Sequence, residues 1–390
     1  MADRFDIIVI GGGSGGSAVA GRLSEDGRYS VCVVEAGGDN DSFQIKAPGM
    51  LAMLPKSANW AYETVAQPGL NGRSGYQPRG KGLGGSSAIN AMLYIRGSAW
   101  DYDNWAALGC TGWAYKDVLP YFKRAEGNVR GGDDFHGGDG PLTVSDQTGA
   151  NPGSLDFVEA ATELQLPRNL DFNGKSIEGV GLYQVTQRRG ERWSAARAYV
   201  EPAKAAGKLH VETGALVERI LVEDGRATGV VIRQNGQRRT LHANRAVILS
   251  AGAFGTPHIL MLSGIGPADH LAAHNIPLVR DCPAVGSDLQ DHIDYVAGFE
   301  TGGDAFMGMG LKGAFRFLKS IVQWQRSRTG TLTTPYAEAG GFAKSSPAMS
   351  VPDLQFHFVP AILEDHGRTS AKGVGFSLHV CVLRPESRGT

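Results

Sequence analysis

A short apolar run that ends in a glycine cluster constrains this chain more than any other feature. Phe5-Asp6-Ile7-Ile8-Val9-Ile10 is rich in β-branched residues and reads as a buried strand. Gly11-Gly12-Gly13-Ser14-Gly15-Gly16 follows at once, with Gly11, Gly13 and Gly16 in G-x-G-x-x-G spacing. Ser14 to Ser24 continues in small residues, as a helix packed tightly on a sheet must. Such a turn lets the backbone approach a pyrophosphate where a Cβ would not fit, and the helix N-terminus favours the negative charge. Ser30 to Val34 forms a second strand that ends in Glu35-Ala36. The Glu35 carboxylate stands 19 residues past Gly16, where a ribose-binding acid belongs. Together the three parts predict a dinucleotide site on a parallel α/β unit.

A second glycine stretch, Gly80-Lys81-Gly82-Leu83-Gly84-Gly85-Ser86-Ser87, supplies another set of backbone donors for an extended, phosphate-bearing cofactor. The chain has 390 residues, 42% hydrophobic and 20% charged, and a formal net charge of −1. That length allows two packed domains, and that charge gives no electrostatic reason to seek nucleic acid. The aromatics Trp100, Tyr102, Trp105, Trp113, Tyr115, Tyr121 and Phe122 lack the basic interleaving of a base-stacking surface, so they are read as packing between surface helices. Cys32, Cys110, Cys282 and Cys381 show no metal-type spacing, and Cys32 is expected to be a buried free thiol in a reducing compartment. No leader precedes the first strand, and no apolar run reaches the ~18 residues of a membrane span. The expected location is cytoplasmic, with peripheral attachment to the inner face of the membrane left open.

Prolines 48, 55, 68 and 78 punctuate a loop-rich stretch, after which Ser86 and Ser87 are expected to cap a helix over Ala88 to Ile95. Val217 to Val222, Thr228 to Arg233 and Gln237 to Leu241 read as strands joined by Asp224-Gly225 and Asn235-Gly236, a three-stranded antiparallel meander. Ala246 to Ser250 is a continuous apolar run, expected to be a separate strand buried on both faces. Thr256-Pro257 reads as the start of a helix over His258 to Ser263, stopped at Gly264. Farther on, Leu311 to Arg326 is helix-like, and Leu354 to Val359 and Phe376 to Leu383 are strand-like. The predicted fold is α/β: a Rossmann-like domain interrupted by the meander, plus an α+β substrate-side domain. The first covers residues 1–155 and 201–298; the second covers 156–200 and 299–390.

At the second glycine stretch the sequence resembles the glucose–methanol–choline family of flavin oxidoreductases. Gly80 to Asn90, continuing through Tyr94, Gly97 and Asp103, looks like that family's first signature, and Gly252 to Gly266 looks like its second. The resemblance implies FAD, with Gly11, Gly13, Ser14 and Gly16 on its ADP half and Glu35-Ala36 at the adenosine ribose. It implies Arg79, Gly80, Gly82, Gly84, Gly85 and Ser86 along the pyrophosphate and flavin, and Asn90, Ala91, Met92 and Leu93 at the isoalloxazine. Val217 would meet the adenine through its backbone, and Ala251 and Gly252 complete the set. For Arg79 a solvated charge, and for Asn90 the cap of a backbone turn, stay open as plainer readings. Some relatives attach flavin through a histidine where this chain has Ile89, so noncovalent FAD is expected.

The activity implied is oxidation of a primary alcohol to an aldehyde, with hydride passing to flavin N5 and electrons to oxygen or a quinone- or dye-type acceptor. The resemblance also implies a catalytic histidine, paired with a second histidine or an asparagine, beyond the strand Val380 to Gly389. The chain stops at Thr390, so no catalytic residue is assigned and a C-terminal segment is expected to be missing. His258 and His292 are read as structural, and no spacing pairs His357, His366 and His379 as base and partner. No metal site is expected. Three alternatives remain: a lyase that keeps FAD structurally, an inactive flavin-binding fragment, and a plain NAD dehydrogenase. The last leaves the second glycine stretch unexplained.

Overall fold

The computed structural model describes residues 3–301, 306, 311–363 and 373–390. Its strands, in chain order, begin with β1 (Arg4–Ile10), β2 (Val31–Val34), β3 (Gly179–Leu182) and β4 (Leu209–Glu212). The meander follows as β5 (Ala215–Glu223), β6 (Arg226–Gln234) and β7 (Gln237–Leu249). The last group is β8 (Asp294–Glu300), β9 (Ala339–Ala343), β10 (Leu354–Val359) and β11 (Gly375–Val382).

Six of these form one sheet in the order β4-β2-β1-β7-β6-β5. β1 is parallel to both neighbours, with Ile10 opposite Val34 on one side and Leu249 on the other. Alternation along β1 and β2 sends Ile8, Ile10, Cys32 and Val34 into a core shared with the meander. It sends Ile7, Val9, Val31 and Val33 against the helix α1 (Ser14–Ser24), beside Ala20 and Leu83. Burial on both faces is why these strands lack polar alternation. Cys32 is fully buried and free, and desolvation pushes its thiol far up.

The third meander strand and the apolar run after it are not separate. They are one strand of 13 residues, β7. Its first half pairs antiparallel with β6, from Gln237 opposite Gln234 to His242 opposite Gly229. Its second half pairs parallel with β1, from His242 opposite Arg4 onward. Leu241 and Ala243 both point inward, and the ladder to β1 then shifts by one residue, from Ala243 opposite Phe5 to Ala246 opposite Ile7. The expected burial of Ala246 to Ser250 on both faces is also corrected: these residues are only half-buried, and Ser250, just past the strand, lines a cavity. Asp224-Gly225 and Asn235-Gly236 do turn the meander, all four at positive φ.

Two expected helices differ. No helix covers Ala88 to Ile95; a single 3₁₀ turn, Gly85–Ala88, is followed by irregular chain. The Asn90 side chain accepts from the Met92 N–H at 3.0 Å, and Met92 sits at φ 62°. Arg192 takes the carbonyls of Ser87 and Asn90, two of those that a helix through Ile95 would use. Ser87 donates back to the Gly84 carbonyl and accepts from the Ala195 N–H at 3.0 Å, so it caps no helix in its own segment. The helix expected from His258 starts earlier, as α2 (Gly252–Leu262), with Pro257 inside it. Gly264, at φ 81°, stops it as expected.

A second sheet runs β8-β11-β10-β9-β3 and packs one face on α3 (Pro152–Glu163) through Val158, Ala161 and Phe358. Glu338 is buried at the N-terminus of that helix, accepting from the Asn151 N–H at 2.6 Å, the Ser154 hydroxyl at 2.7 Å and the Thr334 hydroxyl at 2.6 Å. The long helix Leu311–Ser327 is present and buries Trp324 against Ala47, Met50 and Leu332. Tyr102, buried among Trp105, Tyr115 and Phe122, packs the aromatic-rich helices together as expected. No helix among the described residues is long and apolar enough to cross a membrane.

Candidate functional site

The C-terminal ends of β1, β2 and β7 open onto a cavity of about 860 Å³, the place where parallel α/β sheets present ligand sites. Both glycine stretches line it, and they hold each other in position. The Gly84 N–H donates to the Gly12 carbonyl at 2.8 Å. A Cβ on Gly85, at φ 51°, would come within 2.7 Å of the Gly13 Cα. A Cβ on Gly16 would lie 1.9 Å from the Gly11 carbonyl oxygen, so helix α1 can start this close to β1 only on glycine. Of the residues expected at a cofactor, Gly11, Gly13, Ser14, Glu35, Ala36, Arg79, Gly80, Gly85, Ser86, Val217, Ala251 and Gly252 line the cavity.

Glu35 is nearly buried and is held by three backbone donors. Gly12 donates to Oε2 at 2.9 Å, while Gly37 and Gly82 donate to Oε1 at 2.8 and 2.9 Å. A carboxylate has about four acceptor sites, so roughly one remains, on Oε2, for a ligand hydroxyl. The carboxylate thus also ties the loop after β2 to the second glycine stretch. Val217 lies at a break in the ladder: it faces Ile232 and Arg219 faces Val231, which leaves Glu218 without a cross-strand partner. Arg79 donates to the Pro78 carbonyl and to Gln77, lies 4.8 Å over the Phe254 ring, and has no carboxylate partner among the described residues.

Gly16, Gly82, Gly84, Asn90, Ala91, Met92 and Leu93 do not line this cavity. Gly16 and Gly84 serve the backbone packing just described, and Gly82 donates to Glu35. Met92 is fully buried, and its carbonyl accepts from the Thr186 N–H at 2.8 Å. The sequence reading missed an aromatic wall. Trp60 and Tyr62 stack at 5.7 Å, Tyr62 meets Phe254 edge-on, and the Lys81 ammonium sits 4.5 Å over Trp60. Ala61 between them sits at φ 52°, so a local turn and not strand alternation brings the two rings together, which residue spacing does not announce.

Residues 5–294 match the model of the GMC oxidoreductases, the glucose–methanol–choline family. The chain belongs to the GMC oxidoreductase family. It is 44% identical over 99% of its length to an alcohol dehydrogenase [acceptor] of Pseudomonas putida, covering 71% of that protein. It is 43% identical, again over 99% of its length, to an oxygen-dependent choline dehydrogenase of Rhizobium etli, covering 70% of it. Among solved structures it resembles an FAD-dependent oxidoreductase from Chaetomium thermophilum, with a TM-score of 0.84 and 27% identity over 99% of this chain and 75% of that one. The fold is therefore the GMC flavoprotein fold, and members of this family bind FAD.

The histidines of this GMC chain fall into place on that fold. His258 is exposed and lines the cavity. His292 is exposed, and its backbone N–H is bonded to Asp291. His357 and His379 are cross-strand partners on β10 and β11, with ring centroids 6.3 Å apart, a pairing that their sequence separation concealed. Asp294 bonds His379 Nδ1 at 2.7 Å. Burial, and then the charge on His379, push His357 down to about 4. His366 lies outside the described residues.

Proposed function

We propose that this chain binds FAD noncovalently along the cavity and is the flavin-holding part of an enzyme that oxidises a primary alcohol to an aldehyde. The observation that carries this reading is the interlocking of the two glycine stretches around one cavity, with Glu35 pinned between them. A lone G-x-G-x-x-G turn serves many nucleotides, whereas two such turns locked face to face suit an extended dinucleotide. Bound FAD would supply a hydride acceptor at N5. The N-terminus of α1 would face the pyrophosphate, Arg79 would add a cation beside it, and the free site on Glu35 Oε2 would accept one ribose hydroxyl. The bulge at Glu218 supports an adenine contact beside Val217. Ile89 packs its side chain with Ile45, Ala58 and Ala88 and offers no atom for a covalent flavin link.

The second sheet, with residues 156–200 and 299–390, is proposed as the substrate-side domain, and 1–155 with 201–298 as the FAD domain. Asn90 to Leu93 are proposed at the isoalloxazine. The proton of the alcohol needs a base with a pKa near the working pH. His357, at about 4, is too weak a base for that task. The paired histidine is proposed to lie C-terminal to residue 390, since the relatives are longer than this chain. Electrons would leave to oxygen or to a quinone-type acceptor, which oxygen uptake against dye reduction separates.

Purified protein should be yellow and should release FAD into the supernatant on acid precipitation; flavin held in the pellet refutes noncovalent binding. Anaerobic bleaching by a panel of primary alcohols tests the chemistry. The 390-residue form is expected to bleach slowly and a C-terminally extended form rapidly. Loss of a positioned base costs about 10²–10⁴ in rate.

A further inference from the structure

Arg192 is almost completely buried, yet no carboxylate pairs with it among the described residues. Its bonds go to neutral oxygens only. Nε donates to the Ile45 carbonyl at 3.0 Å; Nη1 donates to the carbonyls of Ser87 at 3.3 Å and Asn90 at 2.6 Å, and to Asn90 Oδ1 at 3.0 Å. Nη2 is buried and has no partner. Burial pushes its pKa down to about 9, which still leaves the guanidinium charged at neutral pH. A buried, unpaired cation is costly, and cores normally avoid one by pairing it or replacing it with an apolar side chain. Here the cost is borne at a particular place. Arg192 grips Asn90, which caps Met92 and opens the segment proposed at the isoalloxazine.

We propose that Arg192 is a positioning residue of the flavin site: it fixes the Asn90–Met92 turn and keeps beside it a positive charge that only the loaded, reduced cofactor balances. The inference rests on the proposed function. When hydride leaves the substrate carbon, two electrons and one proton arrive on the flavin, which thereby gains one negative charge. A fixed cation that costs energy with oxidised flavin is compensated once that charge appears. It therefore favours the reduced form. The plainer alternative is a stitch between loops, because the Ile45 and Ser87 carbonyls lie in the last turns of short helices and carry partial negative charge. A stitch would affect folding and FAD affinity while leaving the reduction potential alone.

The experiment compares the FAD-loaded protein with Arg192→Lys, Arg192→Met and Arg192→Gln. Two quantities are read: the Kd for FAD from titrating apoprotein, and the flavin potential by equilibration with a reference dye. Both neutral variants should lower the reduced-to-oxidised ratio at a set potential at least tenfold, which is about 30 mV for a two-electron couple. Arg192→Lys should hold that ratio within threefold of the parent while weakening FAD binding, since one ammonium cannot span the same carbonyls. A neutral variant with an unchanged potential overturns the proposal, as does a lysine variant that shifts as far as the neutral ones. Arg192→Gln retains amide donors and provides the neutral comparison where the methionine variant fails to fold. Failure of all three variants to fold assigns Arg192 to folding alone and also overturns the proposal. A parent protein that takes up no FAD instead refutes the proposed function, a separate outcome.

Discussion

At Glu35 a single side chain serves both the scaffold and the proposed ligand. Removing it costs more than a ribose contact, because the Gly12, Gly37 and Gly82 N–H groups lose their acceptor. Hydrogen bonds to a charged group are worth about 1.5–3 kcal/mol each. Glu35→Gln should therefore lower the thermal midpoint of the apoprotein and weaken FAD binding on titration; an unchanged midpoint would remove the scaffold role. The two ends of one glycine pair should also part company. Gly16→Ala places its Cβ on the Gly11 carbonyl and should abolish soluble folded protein. Gly15→Ala meets nothing within 4 Å and should leave the apoprotein as stable or up to about 1 kcal/mol more so, while perturbing FAD affinity, because it faces the cavity. Circular dichroism melts and flavin titration of both variants check the contrast. This much was legible in the sequence, since spacing alone singled out Gly11, Gly13, Gly16 and Glu35. The threefold grip on Glu35 was not, because two of its donors belong to loops whose meeting is a tertiary event.

Among the elements, legibility followed locality. The strands β1, β2, β10 and β11 rest on apolar runs, and the tight turns of the meander on turn chemistry, that each segment carries within itself. The helix expected over Ala88 to Ile95 is absent because Asn90 bonds the Met92 N–H, Met92 turns to φ 62°, and Arg192, about a hundred residues away, takes two of the carbonyls a helix would use. The unbroken β7 was missed because Asn244-Arg245 interrupts the apolar pattern without interrupting the strand. Another element-scale feature carries a pH signature. His136 bridges Asp171, through Nε2 at 3.0 Å, and Glu126, through Nδ1 at 2.9 Å, joining the segments around β3 to the short strand Glu126–Asn128. The bonds to Asp171 and then Glu126 raise its pKa to about 9. A group raised above its unfolded value of ~6.5 contributes fully below that value, and its contribution is lost as pH rises through about 9. Burial works against the ionised forms of Glu126 and Asp171, but the bond from His136 and further donors hold both below their ordinary range. Their share is present above the unfolded carboxylate pKa and lost as pH falls through the folded one. Urea unfolding should thus show a stability plateau between about pH 5 and 7 and a decline of order 2 kcal/mol toward pH 9–10. His136→Asn should flatten the alkaline decline. A wild-type curve flat from pH 6 to 10 would exclude the clamp.

For the whole molecule, the cavity walls come from residues far apart in the chain, so ligand and fold should be linked. FAD that binds only the folded state stabilises it by RT ln(1 + [L]/Kd), about 2.7 kcal/mol at a hundredfold excess over Kd. The thermal midpoint should therefore climb with added FAD and stay put with added NAD; a rise with NAD would favour the plain nicotinamide reading.

Arg4–Ile10 meets one parallel neighbour early, in Val31–Val34, but the other only in residues 242–249, and the outer neighbour of Val31–Val34 is Leu209–Glu212. The amino-terminal glycine turn meets the second stretch at Gly84-Gly85, yet the cavity between them lacks a wall until Ser250 to Gly255 has been made. Nascent chains arrested before that point should bind no flavin, however long they wait. One edge of Ile7 to Ile10 must meanwhile be shielded by something other than its own sheet, so synthesis of this protein should depend heavily on holding chaperones.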